Sequence, residues 1–144
     1  MIRLNRATEY GLMALCYMDS YTPDRKSARE IAEHLKLPFE ITAKTLQRLK
    51  ETGFVESSQG ANGGYRLMGS LSGFNLAQLM EAIEGPQHLV HCLNGVHKPD
   101  CELSGGCDIQ KPAGRINIKI KELLASITLD QVIVNEADEQ KAAQ

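Results

Sequence analysis

The stretch Ser27-Ala-Arg-Glu-Ile-Ala-Glu-His-Leu-Lys-Leu-Pro-Phe-Glu-Ile-Thr-Ala-Lys-Thr-Leu-Gln-Arg-Leu-Lys-Glu-Thr-Gly53 decides the fold. Ser27 and Glu30 have the spacing of a capping box, in which the hydroxyl caps the helix and the carboxylate reaches back to the free amide. The helix opened there, Ala28 to about Leu35, buries Ile31, Ala32 and Leu35. Lys36-Leu-Pro38 leaves room only for a turn, and Pro38 suits the entry to a second helix, about Phe39 to Thr52, that stops at Gly53. At about 100° per residue, Ile41, Thr45, Leu46 and Leu49 turn inward. Ala43, Lys44, Gln47 and Lys50 turn outward, with Arg48 on the flank. Two helices around so short a turn make a helix-turn-helix candidate.

The residues that follow strengthen this reading. Phe54-Val-Glu-Ser and Tyr65-Arg-Leu-Met read as two short strands, joined by the glycine-rich turn Gln59-Gly-Ala-Asn-Gly-Gly64. Helix, turn, helix, hairpin is the order of a winged helix. The outward face of the second helix carries Lys44 and Arg48 for phosphates and the amide of Gln47 for a base edge in the major groove. In the wing, Gln59, Asn62 and Arg66 are placed for phosphates or the minor groove. Double-stranded operator DNA is the expected partner.

Upstream, Asn5 to about Ser20 reads as a helix with Ala7, Tyr10, Gly11, Ala14 and Met18 on one face, and Glu9 off it. Downstream, Gly69-Ser-Leu-Ser-Gly73 reads as a joint. Asn75 caps a helix of Leu76 to Glu84 that ends at Gly85-Pro86. A longer helix, about Ala113 to Ser126, carries an apolar stripe of Ile116, Ile120, Leu123, Leu124 and Ile127. That stripe is too apolar for a solvated helix in so small a chain, and is expected to pair with its two-fold mate. Thr128 caps a last turn through Val132. The expected organisation is a winged-helix DNA-binding domain over 1–70, a cysteine loop and dimerisation helix over 71–135, and a disordered polar tail over 136–144. The fold class is mainly α, a winged helix-turn-helix with a small β-hairpin wing and a long C-terminal dimerisation helix.

The overall charge of −2 conceals an asymmetry. Residues 1–67 carry ten Lys and Arg against eight Asp and Glu, while residues 68–144 carry six against ten. The basic excess thus lies on the half with the helix-turn-helix. Residues 1–6 lack the apolar run of a secretory signal, and no stretch has the length and apolarity to span a membrane. The expectation is a cytoplasmic protein, where clustered thiols bind metal or do redox chemistry more often than they form disulfides. No nucleotide or flavin loop and no Ser/His/Asp or paired-carboxylate arrangement suggests an enzyme. An electron carrier would have no need of a winged helix.

Three of the four cysteines, Cys92, Cys101 and Cys107, lie in sixteen residues with the spacing C-x8-C-x5-C. Cys16 stands apart among Met13, Leu15 and Met18, as a small buried hydrophobe would. An odd count in one loop does not suit a disulfide framework. Thiolates are soft ligands for both zinc and iron–sulphur clusters. Three cysteines with His97 would make a tetrahedral zinc site, although the close C-x2-C pairs of such sites are missing. A metal-free thiol switch is the other alternative.

Taken together, the chain resembles the Rrf-type iron–sulphur regulators, the group of IscR-, NsrR- and RirA-like proteins. The resemblance rests on Arg3-Leu4 at the start, Gly63-Gly64-Tyr65-x-Leu67 closing the wing, the three-cysteine loop, and Ile127-Thr128-Leu129 after a long helix. It covers Arg3 to about Val134. It implies a homodimeric repressor or activator whose Cys92, Cys101 and Cys107 bind a 2Fe-2S or 4Fe-4S cluster that senses iron, nitric oxide or redox state. IscR-like members complete the site with a histidine three residues after the last cysteine, and here that position is Gln110. NsrR-like members recruit an N-terminal carboxylate from the partner subunit, and Glu9 matches it in Arg3-Leu-x-x-x-x-Glu9. Glu9 is therefore the first candidate for fourth ligand, ahead of a small molecule or water and of His91 or His97.

Overall fold

A computed structural model describes residues 3–90, 102 and 106–133. Helix α1 (Arg6–Ser20) starts at Asn5, whose side chain accepts from the Thr8 amide. Helices α2 (Ala28–Leu35) and α3 (Phe39–Glu51) flank a turn in which Lys36 takes the left-handed conformation. The capping box at Ser27 and Glu30 is present in both directions. Strands β1 (Val55–Ser58) and β2 (Gly64–Leu67) form an antiparallel hairpin, with Val55 opposite Leu67 and Glu56 opposite Arg66. A short 3-10 turn (Leu71–Gly73) leads to α4 (Leu76–Glu84), followed by α5 (Gln110–Ser126) and α6 (Leu129–Val132). The fold is mainly helical with a two-stranded wing, as the sequence order implies.

One core holds these elements. Ala14, Leu15 and Met18 of α1 meet Ile31 of α2, Leu46 and Leu49 of α3, and Val55 and Leu67 of the hairpin. Leu71, within the joint at 69–73, and Leu79, Ile83 and Leu129, beyond it, belong to the same cluster. Gly11 lets α4 approach α1, because a Cβ there would lie 2.5 Å from the Ile83 Cδ1 atom.

Three packing details depart from the sequence expectation. On α3 the buried face is Thr42, Thr45, Leu46 and Leu49, while Ile41 is 44% exposed. Thr42 enters the core because its hydroxyl donates to the Pro38 carbonyl of its own helix at 2.8 Å, which removes the cost of an unpaired polar group. The helix of 113–126 starts a turn earlier, at Gln110. Its apolar stripe is also split. Ile120 and Leu124 turn half-buried toward α4, whereas Ile116 and Leu123 are 50% and 62% exposed.

The wing is joined to the segment before α2 by mutual backbone bonds between Lys26 and Tyr65, at 2.9 and 2.7 Å. Gly64 makes this approach possible. Its φ is +134°, and a Cβ would lie 2.6 Å from the Lys26 carbonyl carbon. Gly64→Ala combines a left-handed backbone with a clash against backbone that cannot swing aside. Its expected cost is roughly 2–4 kcal/mol, checked as a lowered urea midpoint with unchanged m-value.

The two ends of the 76–127 excursion are also tied. The Leu76 amide donates to the Ile127 carbonyl and the Leu129 amide to the Phe74 carbonyl, both at 2.9 Å. Helix α4 leaves from this tie and α5 returns to it.

Candidate DNA interface and cysteine segment

On α3 the solvent face carries Lys44, Gln47 and Lys50, all exposed. The Gln47 amide donates to Glu51 one turn on, at 3.3 Å, a weak bond that a base edge can replace. Arg48 is also exposed over much of its surface, but its guanidinium donates to the Ile83 carbonyl in the last turn of α4. The helix residue expected on the flank is therefore engaged with the protein itself.

In the wing, Gln59 and Asn62 are exposed at the hairpin tip. Arg66 is 41% exposed and paired with Glu56, its cross-strand neighbour. Glu56 also accepts from Arg25 at 3.0 Å. One carboxylate thus sits between two guanidinium groups and leaves the cluster net positive. The Glu56–Arg66 pair follows from hairpin register, since directly opposite residues share a face. Arg25 has no local sequence signal, because it reaches Glu56 only through the Lys26–Tyr65 pairing.

One residue beyond Ile83, Thr8 of α1 donates through its hydroxyl to Glu84 of α4, and the Asn5 amide donates to the same carboxylate oxygen at 3.1 Å. Thr8 is fully buried. Sequence periodicity does not single out this pair. Glu9, next along α1, is exposed and makes no side-chain hydrogen bond or ion pair among the described residues. The first turn of α1 and the last turn of α4 therefore meet where the chain departs toward the cysteines.

Cys107 lies three residues before α5 as a free, half-exposed thiol. Cys92 and Cys101, the alternative ligands His91 and His97, and the tail 136–144 lie outside the described residues. Among the described residues no group of three His, Cys, Asp or Glu side chains is close enough to hold a metal. Cys16 is half-buried on α1, and burial pushes its thiol up to about 11, so it stays protonated and a poor ligand near neutrality. The Leu89 amide donates to Asn117 of α5 at 2.9 Å, holding the chain as it leaves for the cysteines. Between α4 and α5 lies an open cleft of about 410 Å³, floored by Met80, Ile120 and Leu124 and rimmed by Arg3, His88 and Lys121.

The family model described as "Iron-dependent Transcriptional regulator", Rrf2, matches residues 4–135. The chain belongs to the Rrf2 family. It is 26% identical over 136 residues to the HTH-type transcriptional regulator NsrR of Bacillus licheniformis, covering 94% of each chain. To NsrR of Bacillus subtilis it is 25% identical over 141 residues, covering 97% of this chain and 96% of the relative. Among solved structures, CymR of B. subtilis superposes with a TM-score of 0.67 at 25% identity, over 92% of this chain and 96% of that one. IscR of T. potens shares the fold, with a TM-score of 0.65 at 21% identity over 99% and 91%. This Rrf2 chain is a DNA-binding transcription regulator and not an enzyme. No helix among its described residues is long and apolar enough to cross a membrane.

Proposed function

We propose that this Rrf2 regulator works as a homodimer that reads operator DNA through α3 and the wing, and that Cys92, Cys101 and Cys107 hold an iron–sulphur cluster. The observation that carries the DNA reading is the exposed Lys44, Gln47 and Lys50 face of α3, placed beside a hairpin whose Arg25, Glu56 and Arg66 leave an excess positive charge. Lys44 and Arg66 neutralise phosphates, Gln47 reads a base edge, and Gln59 and Asn62 approach the backbone from the wing tip. Arg48 is held by the Ile83 carbonyl of α4.

The cluster reading is supported by the chemistry of the donors. Three cysteines in one segment supply soft ligands, Cys107 is free and half-exposed, and Cys16 is disfavoured as a rival by its burial. Glu9, exposed and unpaired among the described residues, is the fourth ligand we favour, given from the partner subunit as in the NsrR-like pattern. A cluster held there would supply a centre sensitive to iron, nitric oxide or redox state. Likeness to CymR, named as the global cysteine regulator of B. subtilis, supports a second reading in which the thiols switch without metal. Iron and sulphide assays on anaerobically purified protein separate the two.

The DNA reading is tested by paired substitutions. Lys44→Ala is expected to weaken binding to every sequence and to lower the slope of log affinity against log salt by about 0.9, the signature of one lost phosphate contact. Gln47→Ala is expected to leave that slope alone and to relax preference at one base pair by about 1–3 kcal/mol. A Gln47→Ala protein with undiminished sequence preference would remove α3 from the major groove.

A further inference from the structure

We infer that Arg48 is a positioning residue, which locks the recognition helix α3 to the last turn of α4 and so to the chain that carries the cysteines. This deepens the proposed function and rests on its reading of α3 as the helix that meets DNA.

The last turn of α4 is held from two sides. On the α3 side, the Arg48 guanidinium donates to the Ile83 carbonyl, one of the orphan carbonyls that a helix leaves at its C-terminus. A cation there also meets the negative end of the helix dipole. The Ile83 side chain is 1% exposed in the core cluster with Leu46 and Leu49. A Cβ on Gly11 would lie 2.5 Å from Ile83 Cδ1, 3.3 Å from Thr45 Cγ2 and 3.8 Å from Leu49 Cδ1, so α1, α3 and α4 meet at one point. On the α1 side, Glu84 accepts from the buried Thr8 hydroxyl and from the Asn5 amide.

Gly85, with φ +81°, ends the helix immediately afterwards, and Cys92 follows seven residues on. Because the turn is held from both sides, a shift of it would pull on both contacts. Arg48 would carry it to the outward face of α3, and Glu84 would carry it to the turn of α1 that bears Glu9. An arginine bound in this way is poorly placed to serve as an independent phosphate ligand, because leaving Ile83 would strand a helix-end carbonyl.

The test uses the full chain, with amide hydrogen exchange and DNA titrations over a range of salt. In the unsubstituted protein, operator binding should slow exchange in the segment 83–88, since coupling between two sites is reciprocal. In Arg48→Met that protection should vanish, and exchange there should already be faster without DNA. Operator affinity should fall about tenfold, while affinity for unrelated duplex and its salt slope stay unchanged. Arg48→Lys, which keeps the charge but loses the planar fork, should resemble Arg48→Met rather than the parent. The inference fails if the operator leaves 83–88 unaltered in the parent. It also fails if Arg48→Met lowers the slope by about 0.9 on both duplexes with exchange unchanged, since Arg48 would then be a phosphate contact. Lys44→Ala and Gln47→Ala, run alongside, report on α3 itself, so loss of the helix assignment is distinguishable from loss of the coupling.

Discussion

Leu123→Glu is expected to convert the protein from dimer to monomer, read by light scattering as a halved mass, and to cost about 100-fold or more in operator affinity. The reason lies in how α5 divides its apolar residues. Ile120 and Leu124 turn toward α4, and Ala113, seven residues before Ile120, is 4% exposed. Roughly 70° around the helix, on a line repeating every seven residues, Ile109, Ile116 and Leu123 are 69%, 50% and 62% exposed. We propose that this line packs against the same helix of a second copy, since exposed apolar residues at heptad spacing suit a two-helix contact. Near a two-fold axis a glutamate meets its own copy, so the substitution removes apolar burial and sets two like charges together in a drying interface.

Because Leu123 is exposed in the isolated chain, Leu123→Glu should alter monomer stability by no more than about 0.5 kcal/mol. Ile120→Glu would also place a charge against α4, and so would mix loss of the dimer with loss of the fold. Ile116→Glu should repeat the result at a second position on the same line. An intact dimer in both variants would sink this interface. The affinity loss follows from geometry, since dimeric helix-turn-helix proteins bind two half-sites at once.

The parts of the fold legible in the sequence are those governed by neighbours within one turn. The Ser27–Glu30 box, the Asn75 cap, Gly53 and Gly85 each satisfy a local requirement of a helix end, and each stands where the pattern puts it. Ile41 reads as inward on hydrophobicity alone, whereas the helical angle favours Thr42. Thr42 satisfies its own hydroxyl and takes the inward position, leaving Ile41 on the edge. The stripe on α5 reads as one face because a helical projection cannot tell a surface covered by α4 from one left for a second chain. The Arg48–Ile83, Thr8–Glu84 and Arg25–Glu56 contacts join residues 35, 76 and 31 positions apart. No periodicity encodes such pairings; they appear only once the elements are packed.

Cys92→Ser, Cys101→Ser and Cys107→Ser are each expected to abolish the visible chromophore of anaerobically purified protein, with iron and sulphide falling together. Losing one of three thiolates leaves too few strong ligands, and a serine hydroxyl is neither soft nor ionised near neutrality. Cys16→Ser should keep the chromophore, with only a modest loss of stability from a hydroxyl placed in a half-buried site. Glu9→Ala is the discriminating variant. Glu9 is exposed and outside the α1–α4 packing that Thr8 and Glu84 maintain, so its removal should leave the denaturation midpoint where it was. If its carboxylate ligates across the dimer, the chromophore should bleach faster in Glu9→Ala, and the same lability should appear in Leu123→Glu, which leaves Glu9 in place but takes the partner away. His97→Ala should change neither. A chromophore lost in His97→Ala and retained in both Glu9→Ala and Leu123→Glu would make the cysteine segment a self-contained site within one chain. Glu9 would then have no part in it, and the last turn of α4 would remain as the route from that site to the recognition helix.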